Sequence, residues 1–250
     1  MSSEKATAIV LRATEFSETS AIVTLFSREF GKIRALAKGA RRPKGPFESA
    51  LDLLAVCRVV FLRKSSDALD LLTEAKLERR FRPHGGDLSN LYAAYYVAEL
   101  LNELTEDYDP HPELFDVADE TLIALRNGSA VAPVLLRFEL TALRVLGHLP
   151  AWETCAECGN PVAASGRVPF SQSAGGVVCK SCRPGQKQIV SLSAEVLTVL
   201  VRFSARDDAW RGEQLGQRTY GELRAALNHY WAHLLGHPPR MHRYLGTSAN

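Results

Sequence analysis

Two short cysteine pairs constrain this chain more than any other feature. Cys155-Ala-Glu-Cys158 and Cys179-Lys-Ser-Cys182 are separated by 20 residues. A C-x-x-C turn lets two thiolates converge on one ion, and a second such turn completes a tetrahedral shell. The spacing is that of a zinc-ribbon-like site. Gly159 after the first pair and Gly175-Gly176 before the second supply the tight backbone such turns need. The competing reading is degenerate or redox-active cysteines. Four thiolates leave no coordination position for water, so one structural Zn2+ is expected rather than a catalytic one; a zinc-dependent hydrolase would need an open site. Lys180 and Arg183 stand beside the second pair and can offset its excess negative charge. Such an ion would supply folding energy to an insert of about residues 152–187, too small for a core of its own. The fifth cysteine, Cys57, lies in an apolar run and reads as a small core residue, not a nucleophile.

Around this insert the hydrophobic period changes once. Thr7 to Arg12, Ser20 to Phe26, Lys32 to Ala37, Leu53 to Leu62 and Leu69 to Ala75 are short runs rich in β-branched and apolar residues. Turn signals at Phe30-Gly31 and Pro43 to Pro46 separate them, which predicts a small five-stranded barrel, closed or partly open. The gaps are too short for crossover helices. From Asp87 the apolar residues recur at helical spacing. Helices are expected from Asp87 to about Glu106, from Pro112 to Gly128, and from Val131 to Leu146 with Gly147 as the cap. Past the insert, Ser193 caps a fourth helix. Thr219-Tyr-Gly-Glu222 reads as a capping box opening a fifth, which Gly236 to Pro239 stops. The fold class is therefore α+β: a barrel domain at 1–82, then a helical domain at 83–250 carrying the cysteine module. The N-terminus lacks the apolar core of a signal peptide, and no apolar run approaches the ~18–20 residues of a membrane span. A cytoplasmic protein that binds no membrane is expected.

A net charge of only +2 conceals an asymmetry. Residues 1–82 hold 16 Lys and Arg against 10 Asp and Glu, residues 83–250 hold 14 against 18, and residues 83–125 contain no Lys or Arg. Two electrostatically different units point to two different partners. The positive charge concentrates between Phe30 and Phe47, where Lys32, Arg34, Lys38, Arg41, Arg42 and Lys44 occur without an acid. Its dense part is a Gly/Pro-punctuated turn leaving a strand. Arg for bidentate contacts and Lys as a point charge on a rigid platform suit a phosphate backbone. Phe16, Phe26 and Phe30 are nearby candidates for stacking unpaired bases. A solvated basic loop, or a dock for an acidic protein, is the alternative. Barrels of this kind commonly bind oligonucleotides, an analogy at the level of fold.

Taken together, these residues resemble the RecO family of bacterial recombination mediators. The resemblance covers essentially the whole chain and is most specific in Phe26 to Lys44, in Leu136 to Pro150 with Cys155 and Cys158, and in Ala174 to Cys182. It implies an N-terminal OB-fold, a helical domain and a zinc module. It also implies binding of single- and double-stranded DNA, annealing of complementary strands, and action with RecR (and RecF). The same resemblance implies loading of RecA onto DNA coated by the single-strand-binding protein, in a nucleoid-associated setting. The basic segment Lys32 to Lys44 matches the family's DNA-contacting barrel surface. The acidic tail of the single-strand-binding protein would meet the helical domain; here Arg137 and Arg144, seven apart on one helix face, are its candidates against a solvated face.

No phosphate loop, dinucleotide fingerprint or serine elbow occurs, and the chain is expected not to be an enzyme. His229, His233 and His237 lack the acidic partner of a zinc-protease motif. The nine carboxylates of Glu99 to Glu120 read as solvated helix faces or a dock for a basic partner. The expectation is a DNA-binding mediator. The other class is a protein-interaction scaffold with a structural zinc module and only indirect DNA retention.

Overall fold

Strand β3 (Gly31–Ala37) alternates buried and more open residues along its length, as a strand lining one side of a core must. The same period organises its neighbours β1 (Ser2–Glu15), β2 (Ala21–Ser27), β4 (Val56–Arg63) and β5 (Asp70–Arg79). In this computed structural model, which describes residues 2–42, 47, 50–64, 68–207 and 210–245, the five-stranded sheet closes on itself in the order β1-β2-β3-β5-β4. Closure depends on the length of β1. Its first half, Ser2 to Ile9, pairs with β4, and its second half, Ala8 to Glu15, pairs with β2. An irregularity between Val10 and Arg12 lets the strand bend between the two. Val10, Val23, Leu25, Ile33, Val59, Phe61 and Leu72 fill the interior, together with Cys57, whose thiol burial pushes up to about 12.

β3 meets β5 in parallel only from Ala35 to Ala37. The open half of its edge is covered by the turn after α1 (Leu88–Leu104). Tyr108 donates its backbone N–H to the Lys32 carbonyl at 2.9 Å. Gly31 makes this approach possible: it has φ +70°, and a Cβ there would lie 2.1 Å from the Asp109 carbonyl oxygen. Asp87 caps α1 by accepting from Ser89 N–H at 2.8 Å, and Pro112 opens α2 (Pro112–Arg126). Phe115 of α2 packs against Phe26 with ring centroids 6.2 Å apart. The compact unit therefore runs to Gly128, beyond the change of sequence character at 82/83.

The charge asymmetry has a partly internal explanation. Arg28 holds Asp116 through two bonds of 2.7 and 3.0 Å, Arg34 holds Asp107 at 2.8 Å, and Arg79 pairs with Asp119. The basic barrel and the acidic segment after it complement one another inside one unit. External partners are not required to explain that part of the charge pattern.

Residues 129–250 form the second unit. It contains α3 (Val131–Val145), a three-stranded sheet of β6 (Arg167–Ser171), β7 (Gly176–Val177) and β8 (Ile189–Ser193) in the order β7-β6-β8, then α4 (Ala194–Ser204) and α5 (Gln217–Leu235). Trp152 stacks on Phe170 of β6 at 5.4 Å, and Phe170 meets Tyr230 of α5 at 5.8 Å, which seats the insert on the helices. Glu139, fully buried, receives Arg224 through both carboxylate oxygens and Trp231 Nε1 at 3.0 Å. Ser193 caps α4 by accepting from Val196 N–H at 3.3 Å. The capping box at Thr219 to Glu222 does not form. α5 begins three residues earlier, with Gly216 as its N-cap, Thr219 donates to Glu195, and Glu222 accepts from the Ser193 backbone N–H at 2.7 Å. Those two side chains tie α5 to the start of α4, where another orphan donor needs a partner.

Candidate metal centre and nucleic-acid interface

The four cysteine sulfurs at 155, 158, 179 and 182 converge, all within 4.8 Å of one another. A tetrahedral shell with Zn–S bonds of ~2.3 Å requires sulfurs about 3.8 Å apart; Cys158 Sγ and Cys179 Sγ stand 3.9 Å apart. None of the four is in a disulfide. The backbone prepares this convergence. Cys155 N–H donates to Asn160 O at 2.8 Å, Gly159 N–H to Cys155 O at 2.8 Å, and Arg183 N–H to Cys179 O at 3.0 Å. The two knuckles are joined by Ala156 N–H donating to Val177 O at 2.9 Å. Gly176 permits the close pairing with Ala151, whose carbonyl oxygen a Cβ at 176 would meet at 2.7 Å.

The thiols are not electrostatically independent. The Ser181 hydroxyl and the Cys182 backbone lower Cys179 to about 6, and a hydrogen bond from Cys179 N–H lowers Cys155. Hydrogen bonding to the sulfurs of Cys179 and Cys158 pushes Cys182 up to about 12. Four thiolates this close repel one another unless a cation lies among them. The donor set therefore fits a thiophilic divalent ion. With all four positions taken by sulfur, the arrangement can hold a fold together and offers no place for an activated water. Among the described residues no other group of three or more His, Cys, Asp or Glu side chains forms a comparable cluster.

The six basic residues between Phe30 and Phe47 divide by role. Lys32 Nζ donates to the carbonyls of Asn102, at 2.9 Å, and Thr105, closing the C-terminus of α1. Here a half-buried ammonium satisfies orphan helix carbonyls and the negative end of the helix dipole. Arg34 pairs with Asp107 at 2.8 Å while its side chain stays more than half exposed. Lys38, Arg41 and Arg42 remain on the exposed turn that leaves β3. Arg41 meets Glu15 at 3.0 Å, and its backbone N–H donates to Thr19 O at 3.1 Å. Arg42 N–H donates to Gly39 O at 3.0 Å, where Gly39 adopts φ +75°. Among the described residues neither Lys38 nor Arg42 has an ion-pair partner. Lys44 lies outside the described residues.

The aromatic candidates divide as well. Phe26 is fully buried against α2. Phe30 turns edge-on to Phe61 at 5.6 Å. Phe16 alone of the three is open, 60% exposed at the tip of the β1–β2 hairpin. Strand alternation could not separate them, because Phe16 and Phe30 lie outside the strands and β2, which carries Phe26, is buried on both faces.

Arg137 and Arg144 do share a face of α3, but their guanidinium groups do not stand free. Arg137 donates to Phe203 O at 3.0 Å and to Ala205 O, and Arg144 to Ser204 O at 3.2 Å. Both are half-buried and fasten the C-terminus of α4. The acidic residues that the barrel cations seize, Asp107, Asp116 and Asp119, were not anticipated. The signal was present in the stretch without Lys or Arg lying directly after a basic one.

Comparison with known proteins agrees along the length of the chain. The family described as "Recombination protein O N terminal" matches residues 1–81, and "Recombination protein O C terminal" matches residues 85–243. A protein of Rhodopirellula baltica named DNA repair protein RecO is 42% identical over 95% of this chain and 97% of its own length. A protein of the same name from Anaeromyxobacter dehalogenans is 36% identical over 98% of this chain and 96% of its own. Another, from Myxococcus xanthus, is 36% identical over 92% of this chain and 91% of its own. Among the described residues no helix is long and apolar enough to cross a membrane.

Proposed function

Because the chain belongs to the recombination protein O family, we propose that it is a DNA repair and recombination mediator acting by binding and not by bond chemistry. The observation that carries this reading is the rigid turn after β3, which presents Lys38, Arg41 and Arg42 from a closed sheet beside the β1–β2 hairpin. The strand order, with its parallel β3–β5 contact, supports reading the sheet as an OB-fold. Two complementary strands repel as polyanions. A protein that neutralises phosphates on both lowers that barrier, and annealing follows without hydrolysis. The same surface serves single- and double-stranded DNA through the phosphates they share.

Cys155, Cys158, Cys179 and Cys182 would hold one Zn2+, whose chemistry is to bind the two knuckles together. Family membership supports RecR and the single-strand-binding protein as partners and RecA loading as the outcome, in the bacterial cytoplasm at the nucleoid. The interaction scaffold draws support from the cation-free stretch at 83–125, although three of its acids are occupied by the barrel itself.

The test is salt-dependent binding of labelled oligonucleotides by the full chain, together with the rate of annealing of complementary strands. A linear fall of log affinity with log salt, and accelerated annealing without ATP, are expected. Partner assembly that survives nuclease treatment, with no salt-dependent oligonucleotide binding, would favour the scaffold.

A further inference from the structure

Phe16 has the most exposed ring among the large apolar side chains of the described residues, 60% open. A single exposed apolar side chain is ordinary on a protein surface. This one differs in how its backbone is fixed and in what it is fixed to. Phe16 N–H donates to Ser20 O at 3.0 Å, Ser17 N–H to the same oxygen at 3.2 Å, and Ser20 N–H to Ser17 Oγ at 3.3 Å. The hairpin tip is thereby a closed turn. On its two sides it is joined to the basic turn: Glu15 meets the Arg41 guanidinium at 3.0 Å, and Thr19 O accepts from Arg41 N–H at 3.1 Å. An open aromatic ring and the cations Lys38, Arg41 and Arg42 thus belong to one braced end of the sheet.

We propose that Phe16 is a base-stacking residue, and that it gives this end of the barrel a preference for unpaired over paired strands. The inference rests on the DNA-binding reading above and names the strand class which that site favours. The chemistry is specific to the ligand. An unpaired nucleotide offers both a phosphate for the cations and a free π-face for the ring, and a duplex offers only the phosphate. An acidic peptide matches the charge but has no obligatory planar face. A lipid surface calls for a larger apolar patch than one ring. Stacking is also independent of base identity, which suits a protein that must accept any sequence.

The experiment measures binding of the full chain to three probes of equal length: a single-stranded oligonucleotide, the same strand with abasic sites, and the duplex. Phe16→Ala should weaken single-strand binding by about 5- to 150-fold, the range one stacked base supplies. Its salt slope, its duplex affinity and its affinity for the abasic strand should be unchanged. Phe16→Trp should restore single-strand binding, with added tryptophan fluorescence quenched by that strand and not by the abasic one. Equal losses on all three probes, or no loss on any, would overturn the proposal. Lys38→Ala/Arg42→Ala separates the two levels. If that pair lowers the salt slope while Phe16→Ala has no effect, stacking is wrong and the interface stands. If the pair leaves the slope unchanged, the interface itself is wrong.

Discussion

Removing Lys38 and Arg42 together should alter DNA binding in a way that removing Lys32 does not. Each phosphate contact on a single strand contributes about 0.7 to the slope of log affinity against log salt. Two exposed cations without ion-pair partners among the described residues can contribute two such contacts, so Lys38→Ala/Arg42→Ala should reduce the slope by about 1.4. Between 50 and 200 mM salt the wild-type protein should then lose about 7-fold more affinity than the variant. Arg41 can join the contact set, because an exposed pair such as Arg41–Glu15 is worth only about 0–1 kcal/mol and yields to a phosphate. Lys32 has a different assignment. Its two bonds to helix carbonyls, each worth about 1.5–3 kcal/mol with a charged donor, make Lys32→Met a stability variant. Its urea midpoint should fall while its slope stays at the wild-type value. Fluorescence anisotropy over a salt series, beside urea unfolding, reads both effects. A slope that drops as far in Lys32→Met as in the double variant would refute this division of labour.

Other consequences are equally open to measurement. Stripping the ion with a strong chelator, or replacing Cys158 by Ser, should lower the thermal midpoint of the second unit and remove one equivalent of zinc by elemental analysis; normal stability without metal would exclude the structural role. Arg224→Met leaves the Glu139 carboxylate buried without its cation and should cost about 3–5 kcal/mol in denaturant unfolding, with part of that loss recovered in Glu139→Gln/Arg224→Met. The Asp87 carboxyl is held below its usual range by the Ser89 N–H and the Asn90 amide. Its capping contribution is thus present above the unfolded carboxylate pKa and lost as pH falls through the lower folded value. Asp87→Ala should cost about 1 kcal/mol at neutral pH and flatten that part of the acid limb of the stability curve.

The relation of sequence to structure differs from element to element for physical reasons. Local signals act over a few residues, and they were legible. Asp87, Pro112 and Ser193 open the helices they were expected to open, Gly236 ends α5 in the left-handed conformation, and two C-x-x-C turns set four sulfurs together. The failed capping box shows the limit of such signals. Thr219 and Glu222 had the right spacing, but the start of α4 offered them partners across the fold. The strands β6, within the insert, and β8, just past it, left no legible signal because each is five residues long and they pair across an intervening segment.

What the sequence alone determined is the set of available charges and ligands: six cations near one turn, four thiols at metal-binding spacing, and a cation-free acidic stretch. Only tertiary packing decided which of them remain available. A helix C-terminus or a carboxylate brought near in space competes with any external phosphate for the same donor, and that competition is invisible along the chain. It took Lys32, Arg137 and Arg144 for helix ends, paired Arg34 with Asp107, and left Lys38 and Arg42 facing water.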